Sequence, residues 1–231
     1  MITTMSQAER TEIANAIKAQ EVKTSGEIYC VVARRSDDYS DIIMIYAVFL
    51  ALLLPLGIGF YNFIELDFAR SFNRIYLPWN DTPKQADFVI NIWQILTLQT
   101  LVFICAAIIA KYLKISIMLV PKFVKRQNVH KASLEQFTAH GIHQTDARTG
   151  VLIYLSQAEK MVEVVADKGI YSKVDKAVWE DAVVKILAKS KDGDLVHGLI
   201  DGIETVGAVL AEHFAPSEND VNEISDSVVF I

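Results

Sequence analysis

The sequence predicts an α/β domain that is interrupted by a transmembrane helical hairpin. Three observations favour this fold class: apolar runs of strand length at 27–35 and 150–156, amphipathic helical segments around them, and two long uncharged stretches between them. Of the 231 residues, 52% are hydrophobic and only 22% are charged, an apolar balance for a domain in water. The apolar excess is concentrated between residues 42 and 121, so one segment accounts for it.

The domain is predicted to begin with a helix and a strand. Ser6 followed by Glu9 has the spacing of a capping box, and Ile13 and Ile17 lie one turn apart on an apolar face. The β-branched and aromatic run EIYCVVARR, at 27–35, is typical of a strand. Because the first long apolar stretch follows within a few residues, we expect the domain to be cut after its first strand.

Two stretches are long enough to cross a bilayer. Residues 42–64 are uncharged, and 88–114 are uncharged except near their end. At a rise of about 1.5 Å per residue, each can span a hydrocarbon core of roughly 30 Å. Between them, 66–78 spaces aromatic residues beside arginines, which predicts an interfacial helix with Tyr76 and Trp79 as anchors. A turn with scattered aromatic residues is the alternative.

The orientation of the hairpin follows from its lysines and arginines. Seven of them flank the outer ends of the spans and three lie in the connecting loop, which places both termini in the cytoplasm. Gln94 and Gln99 are amides of the second span, and amides inside lipid seek hydrogen-bond partners on other helices. We expect them to contact the first span or another subunit; for Gln94, headgroup depth is the alternative.

The remainder of the domain follows the spans. Its predicted elements are a helix over 129–143, strands at 150–156 and 161–167, and two helices over 173–190 and 194–214. The short turn between the two strands makes them antiparallel. A right-handed crossover from the first strand of the domain to the strand at 150–156 makes that pair parallel.

The predicted cytosolic domain is therefore discontinuous, with residues 1–38 and 128–215 on either side of a membrane hairpin at 39–127. The acidic, aromatic-poor segment 216–231 predicts a flexible tail. It ends in four apolar residues that we expect to dock on a partner by strand addition or carboxylate capture: Val228, Val229, Phe230 and Ile231. A disordered tail without a partner is the alternative.

Three stretches carry a family resemblance: RTGVLIYLSQAEKMVEVVADKGI, the Trp179 that follows it, and the last helix ending GAVLAEHFAP. Together they resemble the TPM domain, a family named after a phosphatase. With a pair of spans after TSGEI, the chain is more closely similar to the bacterial two-span membrane branch of that family. The resemblance implies a small Rossmann-like mixed sheet sandwiched by helices, at a bacterial inner (plasma) membrane.

Three charged residues are candidates for chemistry. Asp146, Arg148 and Asp167 are predicted to gather at the sheet edge that faces the cytosol. The two aspartates could hold a hard divalent cation, calcium or magnesium, and Arg148 could pair with a phosphate. This would fit the phosphatase activity attributed to some TPM relatives. Alternatively, Asp167 forms a strand-to-loop exit and Arg148 pairs with it across the strands.

The sequence favours binding over catalysis. It has no Gly-rich phosphate loop or other catalytic motif, and its net charge of −6 with no basic face predicts no nucleic-acid partner. We predict a non-catalytic accessory or scaffold protein that contacts the lipid bilayer and binds, assembles or regulates an inner-membrane protein complex, or forms a homo-oligomer. No cofactor is expected, calcium or magnesium excepted. A membrane-tethered, divalent-metal-dependent phosphatase is the alternative.

Overall fold

The computed structural model describes residues 5–76, 92–112, 116–216 and 222–231. The chain divides into two compact units: Met1–Asp38 with Pro121–Ile231, and Tyr39–Val120. The first unit is interrupted in sequence by the second. The discontinuous domain resumes at Pro121 rather than at 128, because helix α5 (Lys122–Ala139) packs against the sheet of the first unit.

A four-stranded mixed sheet forms the centre of the first unit. Its order is β3 (Met161–Ala166), β2 (Gly150–Ser156), β1 (Glu27–Ala33) and β4 (Val229–Phe230). β1 and β2 are parallel, with Tyr29 beside Leu152 and Val31 beside Tyr154, and β2 and β3 are antiparallel. The mixed α/β class and the pairing across the insertion are therefore confirmed.

Helices cover both faces of the sheet. On one face, α1 (Gln7–Glu21), α7 (Trp179–Lys191) and α8 (Leu195–His213) enclose the larger core around Ile28, Cys30 and Ile153. On the other face, α5 covers the alternate strand residues. Because successive strand residues point to opposite faces, β1 and β2, which are buried along their whole length, contribute apolar side chains to both cores.

Helix ends follow local signals where a side chain caps the backbone. The Ser6–Glu9 capping box at α1 is confirmed, and Asp194 caps α8 by accepting from the backbone N–H of His197. Two predicted helices begin elsewhere: α5 starts at Lys122, and α7 starts at Trp179 after the short helix α6 (Lys168–Tyr171). Neither start has a side-chain cap of the kind that marks the starts of α1 and α8.

The second unit contains α2 (Ser40–Tyr76), α3 (Ile92–Tyr112) and the short α4 (Ser116–Leu119), and α2 packs against α3. The prediction of a separate interfacial helix at 66–78 was wrong over 66–76, because α2 continues through these residues without a break. Trp79 lies outside the described residues, as do the side chains of Tyr76 and Gln94. Gln99 lies half-buried on α3.

Within the described residues, one helical stretch is long and apolar enough to cross a membrane: Ser40–Gly57, with a mean hydropathy of 2.1. Only 11% of that stretch is buried, and most of its large side chains are exposed: Met44, Ile45, Val48, Phe49, Leu50, Leu52, Leu53, Leu54 and Leu56. The apolar part of α3, Ile95–Ile108, is shorter than a span. One of the two predicted spans is thus supported, and the second remains a prediction.

The end of the chain corrects the prediction of a flexible tail over 222–231, whereas residues 217–221 of the predicted tail lie outside the described residues. Residues 222–231, called the carboxy-terminal strap below, run along the edge of β1, where Val229 and Phe230 pair with Val31 and Val32. The pairing continues past β4, since Ile231 N donates to Val32 O at 3.2 Å. Val228 is buried in the larger core, and the Arg10 guanidinium lies 4.6 Å above the Phe230 ring. These apolar contacts outweigh the acidic composition.

Candidate functional site

The predicted site residues lie around the end of the sheet where β1 and β2 begin. Asp167 N donates to Gly150 O at 2.9 Å, which ties the end of β3 to the start of β2. The loop before β2 packs tightly on Gly169, where an added Cβ would lie 2.5 Å from Arg148 O. The structure therefore brings the segments that carry Asp146, Arg148 and Asp167 to one end of the sheet.

Asp167 has a structural role at this end. It is 5% exposed, and its Oδ1 accepts from the backbone N–H of Lys168 at 2.6 Å, which caps α6. Its Oδ2 is buried and has no hydrogen-bond partner among the described residues. The carboxylate thus terminates β3 and starts the next turn, as the alternative interpretation of its sequence position expected.

Asp146 and Arg148 are placed differently from Asp167. Both are exposed, and Asp146 contributes its backbone N–H, which donates to Glu223 Oε2 at 3.0 Å. Arg148 has a left-handed backbone, with φ of 55°. Across the described parts of the chain, Arg148 forms no ion pair with either aspartate, and no group of three His, Cys, Asp or Glu side chains is placed to hold a metal ion.

The strap forms one wall of a cavity beside these residues. The cavity has a volume of about 370 Å³ and is lined by Tyr29, His140, Gly141, Gln144, Thr145, Glu223, Ile224 and Ser225. Glu223 fixes the strap through two hydrogen bonds. Its backbone N–H donates to Glu27 Oε1 at 3.2 Å, and its side-chain carboxylate accepts from Asp146 N. Asp146 thereby positions the strap through its backbone.

Two hydrogen bonds link Tyr29, His140 and Gln136 beside this cavity. The Tyr29 hydroxyl lies 3.0 Å from His140 Nδ1, and His140 Nε2 lies 3.2 Å from Gln136 Oε1. Since an amide oxygen only accepts, Nε2–H donates to Gln136, and Nδ1 accepts from the Tyr29 hydroxyl. Burial raises the pKa of Tyr29, and the neighbouring Cys30 adds to the shift, so the phenol stays protonated and donates.

Sequence reasoning did not find these hydrogen bonds, because 111 positions separate Tyr29 from His140. The alternation of β1 gives the only signal: it places Tyr29 on the face opposite Cys30, which is the face that α5 covers. His140 follows the last residue of α5, and its ring packs against the ring of Tyr29 with a centroid distance of 4.8 Å and a tilt of 37°. The contact thus depends on how α5 crosses the sheet.

The carboxyl group of Glu21, on α1, lies next to the strap. Glu21 Oε1 accepts from Ile28 N at 2.9 Å, and the carboxylate of Asp226 on the strap lies near the Glu21 side chain. Burial raises the pKa of Glu21 to about 8, and the nearby carboxylates of Glu27 and Asp226 add to this shift. Near neutral pH, the protonated Glu21 can donate to Asp226, so one proton joins helix and strap.

At the opposite end of the sheet, the buried carboxylate of Glu159 closes the β2–β3 turn. Glu159 accepts from Ser36 N at 3.3 Å and from the Ser156 hydroxyl, and the Tyr154 hydroxyl lies 3.1 Å from Ser36 Oγ. The sequence indicated only a turn at these positions. These contacts attach the residues that follow β1 to the turn that follows β2. They hold the chain at the point where the first unit is interrupted.

Comparison with known proteins identifies part of this unit. Residues 106–209 match the TPM domain. The match runs from the end of α3 to most of α8, so it also includes residues 106–120 of the second unit, and it contains Asp146, Arg148 and Asp167. The expected resemblance to the TPM domain is confirmed over these residues, whereas α1, β1 and the strap lie outside the match.

A solved structure shares the fold. The NMR structure of the BA42 protein from the psychrophilic bacterium Bizionia argentinensis is similar with a TM-score of 0.56 and 17% sequence identity. The alignment covers 99% of this chain and 97% of that chain. No curated protein matches the sequence. At this identity, the similarity shows the fold alone.

Proposed function

We propose that this protein is a membrane-anchored TPM-domain accessory protein that binds and regulates a membrane protein complex without catalysing a reaction itself. The observation that carries the proposal is the exposed apolar surface of α2 over Ser40–Gly57, which is long enough to cross a bilayer. An uninterrupted apolar surface of this size is stable in lipid and unfavourable in water. The membrane is therefore the environment that suits the second unit.

The proposed topology has two spans, near 42–64 and 88–114, with both termini in the cytoplasm of a bacterium. The excess of lysines and arginines at the outer ends supports this orientation. Gln99 on α3 is the polar group through which the spans would contact a partner subunit. The first unit would then lie at the cytoplasmic surface of the inner membrane.

The strap is the proposed docking element. β4 has only two residues, so few backbone hydrogen bonds hold Val229 and Phe230 on β1. These two residues can leave β1 and pair with a strand of the partner instead. Asp167 caps α6 and Asp146 holds the strap, and these structural roles support binding rather than hydrolysis.

The membrane anchor can be tested with charges in α2. We expect Val48→Asp with Leu52→Asp to release most of the protein from the membrane fraction, because each aspartate at the centre of a span opposes insertion by roughly 3 kcal/mol. The measurement is alkaline carbonate extraction of membranes, followed by quantification of pellet and supernatant. Val184→Asp, an exposed valine on α7, is the matched control and should leave the distribution unchanged.

The accessory role can be tested by extraction with native neighbours. After mild detergent extraction, we expect the tagged full chain to elute as a stoichiometric complex with a membrane protein, and tagging that protein should recover this chain. Phe230→Asp should reduce the recovered partner at least tenfold while leaving the protein in the membrane, because the charge cannot be buried against an apolar surface. A lone monomer in extracts of both the wild type and the variant contradicts the role.

A further inference from the structure

The first turns of α5 carry an exposed aromatic side chain among basic ones. Lys122, Phe123, Lys125 and Arg126 form this group, called the basic–aromatic patch below. Phe123 is 72% exposed, and Lys122 and Arg126 are also exposed. None of the three basic side chains forms an ion pair with a described residue. The patch therefore exposes both an apolar ring and positive charge that is unpaired among the described residues.

The spacing places these side chains on adjoining surfaces of the helix. Lys122 and Arg126 are four residues apart, and Phe123 and Arg126 are three apart, so each pair lies on one side of α5. The buried residues of α5, Val129, Ser133 and Phe137, begin seven positions after Lys122, so the patch lies on the turns of the helix that precede its buried part. The patch thus belongs to the outer surface of the first unit and contributes nothing to its core.

The patch does not stabilise α5. Positive side chains in the first turn of a helix oppose its dipole, and this turn contains no acidic residue and no side-chain cap. An aromatic ring left in water also forgoes the free energy of burial. An external surface that is both anionic and partly apolar would offset both costs.

We propose that the basic–aromatic patch binds anionic lipid headgroups and inserts Phe123 into the interface of the bilayer. Charge complementarity selects this occupant, since basic residues at a membrane surface bind anionic lipids and an aromatic ring partitions at headgroup depth. The position of the patch in the chain agrees with it: the second unit ends at Val120, two residues before Lys122. This inference rests on the proposed membrane anchorage of the second unit.

A fluorophore at residue 123 tests the inference in the full chain. Phe123→Cys in a Cys105→Ser background is labelled with an environment-sensitive dye and reconstituted into vesicles. Cys30 is buried, and burial raises the pKa of its thiol to about 12, so it does not react. We expect quenching by shallow nitroxide lipids in phosphatidylcholine–phosphatidylglycerol vesicles and several-fold less in phosphatidylcholine alone.

Charge removal supplies the second arm. Each of Lys122→Ser, Lys125→Ser and Arg126→Ser should weaken docking of the dye in the anionic vesicles about fivefold, and added salt should act in the same direction. Leu134→Cys, 43% exposed on the same helix, is the control and should give quenching that does not depend on the lipid. Equal quenching at residue 123 in both lipid mixtures overturns the inference.

A dye in α2 separates this inference from the anchorage on which it rests. With Phe49→Cys as the labelled position, deep nitroxide lipids should quench the dye in both mixtures. Quenching at residue 49 without quenching at residue 123 refutes the patch and leaves the anchor standing. Quenching at neither position refutes the proposed function as well.

Discussion

Gly150→Ala is expected to destabilise the first unit by about 3 kcal/mol, at the upper end of the usual cost of overpacking. A Cβ at residue 150 would lie 2.4 Å from Ile142 O and 2.6 Å from Ile142 Cγ2. Ile142 is fully buried, and it belongs to the tight turn at 142–144 between α5 and β2. Since the obstacle is backbone, it cannot rotate away, and the start of β2 must move.

Hydrogen exchange of the β1 and β2 amides in the full chain, kept in detergent, measures this loss. Gly26→Ala is the matched control, one residue before β1. There an added Cβ meets only the Leu210 side chain, at 3.1 Å, which can shift. We expect a loss below about 1 kcal/mol for the control. Equal losses in the two variants would show that the loop before β2 is not tightly packed in solution.

The sheet was predictable because its central strands carry strong local signals. The interiors of β1 and β2 are uninterrupted apolar runs, and only a short turn separates β2 from β3, so local composition placed three strands. The crossover connection then placed β1 parallel to β2 across the insertion Tyr39–Val120. These arguments require no knowledge of tertiary contacts.

β4 was not predictable in the same way. Only Val229 and Phe230 pair with β1, in a segment whose preceding residues are acidic and polar. Its order depends on tertiary contacts: the burial of Val228, the ring of Phe230 beneath Arg10, and the hydrogen bonds of Glu223. A short segment of this composition predicts disorder when read alone. The sequence therefore indicated an apolar end that binds something, without indicating that β1 is what it binds.

The site was predicted in its location more than in its contacts. The segments of Asp146, Arg148 and Asp167 do gather at one end of the sheet, which follows from strand direction alone. The side chains do not combine there, since Asp146 and Arg148 are exposed and Asp167 binds backbone. The pairs that matter, Tyr29 with His140 and Glu21 with Asp226, join residues distant in sequence, and no local pattern encodes them.

The strap should loosen as the pH rises from about 5 to about 8. The pKa of Glu21 is raised from 4.5 to about 8 in the folded state, and the carboxylates that face it are Glu27 on β1 and Asp226 on the strap. Below pH 4.5, Glu21 is protonated in both the closed and the open form. Opening the strap removes Asp226 and admits water to Glu21, which lowers the pKa of Glu21 and releases a proton, so the closed form loses stability as the pH rises towards 8. The slope is at most about 1.4 kcal/mol per pH unit, and solvent screening of this partly exposed group makes it smaller.

Glu21→Gln should abolish most of this dependence and favour the closed strap at pH 8. Its amide oxygen can still accept from Ile28 N, and its NH₂ group can donate to Asp226 without a titrating proton. The protection factor of the Ile231 amide, which donates to Val32 O, gives the measurement after correction for the intrinsic pH dependence of exchange. Glu9→Gln on the same helix is the control: hydrogen bonds from Ser6 lower the pKa of Glu9, so its stabilisation is lost only in acid. The same slope in wild type and Glu21→Gln would show that a proton on Glu21 does not hold the strap.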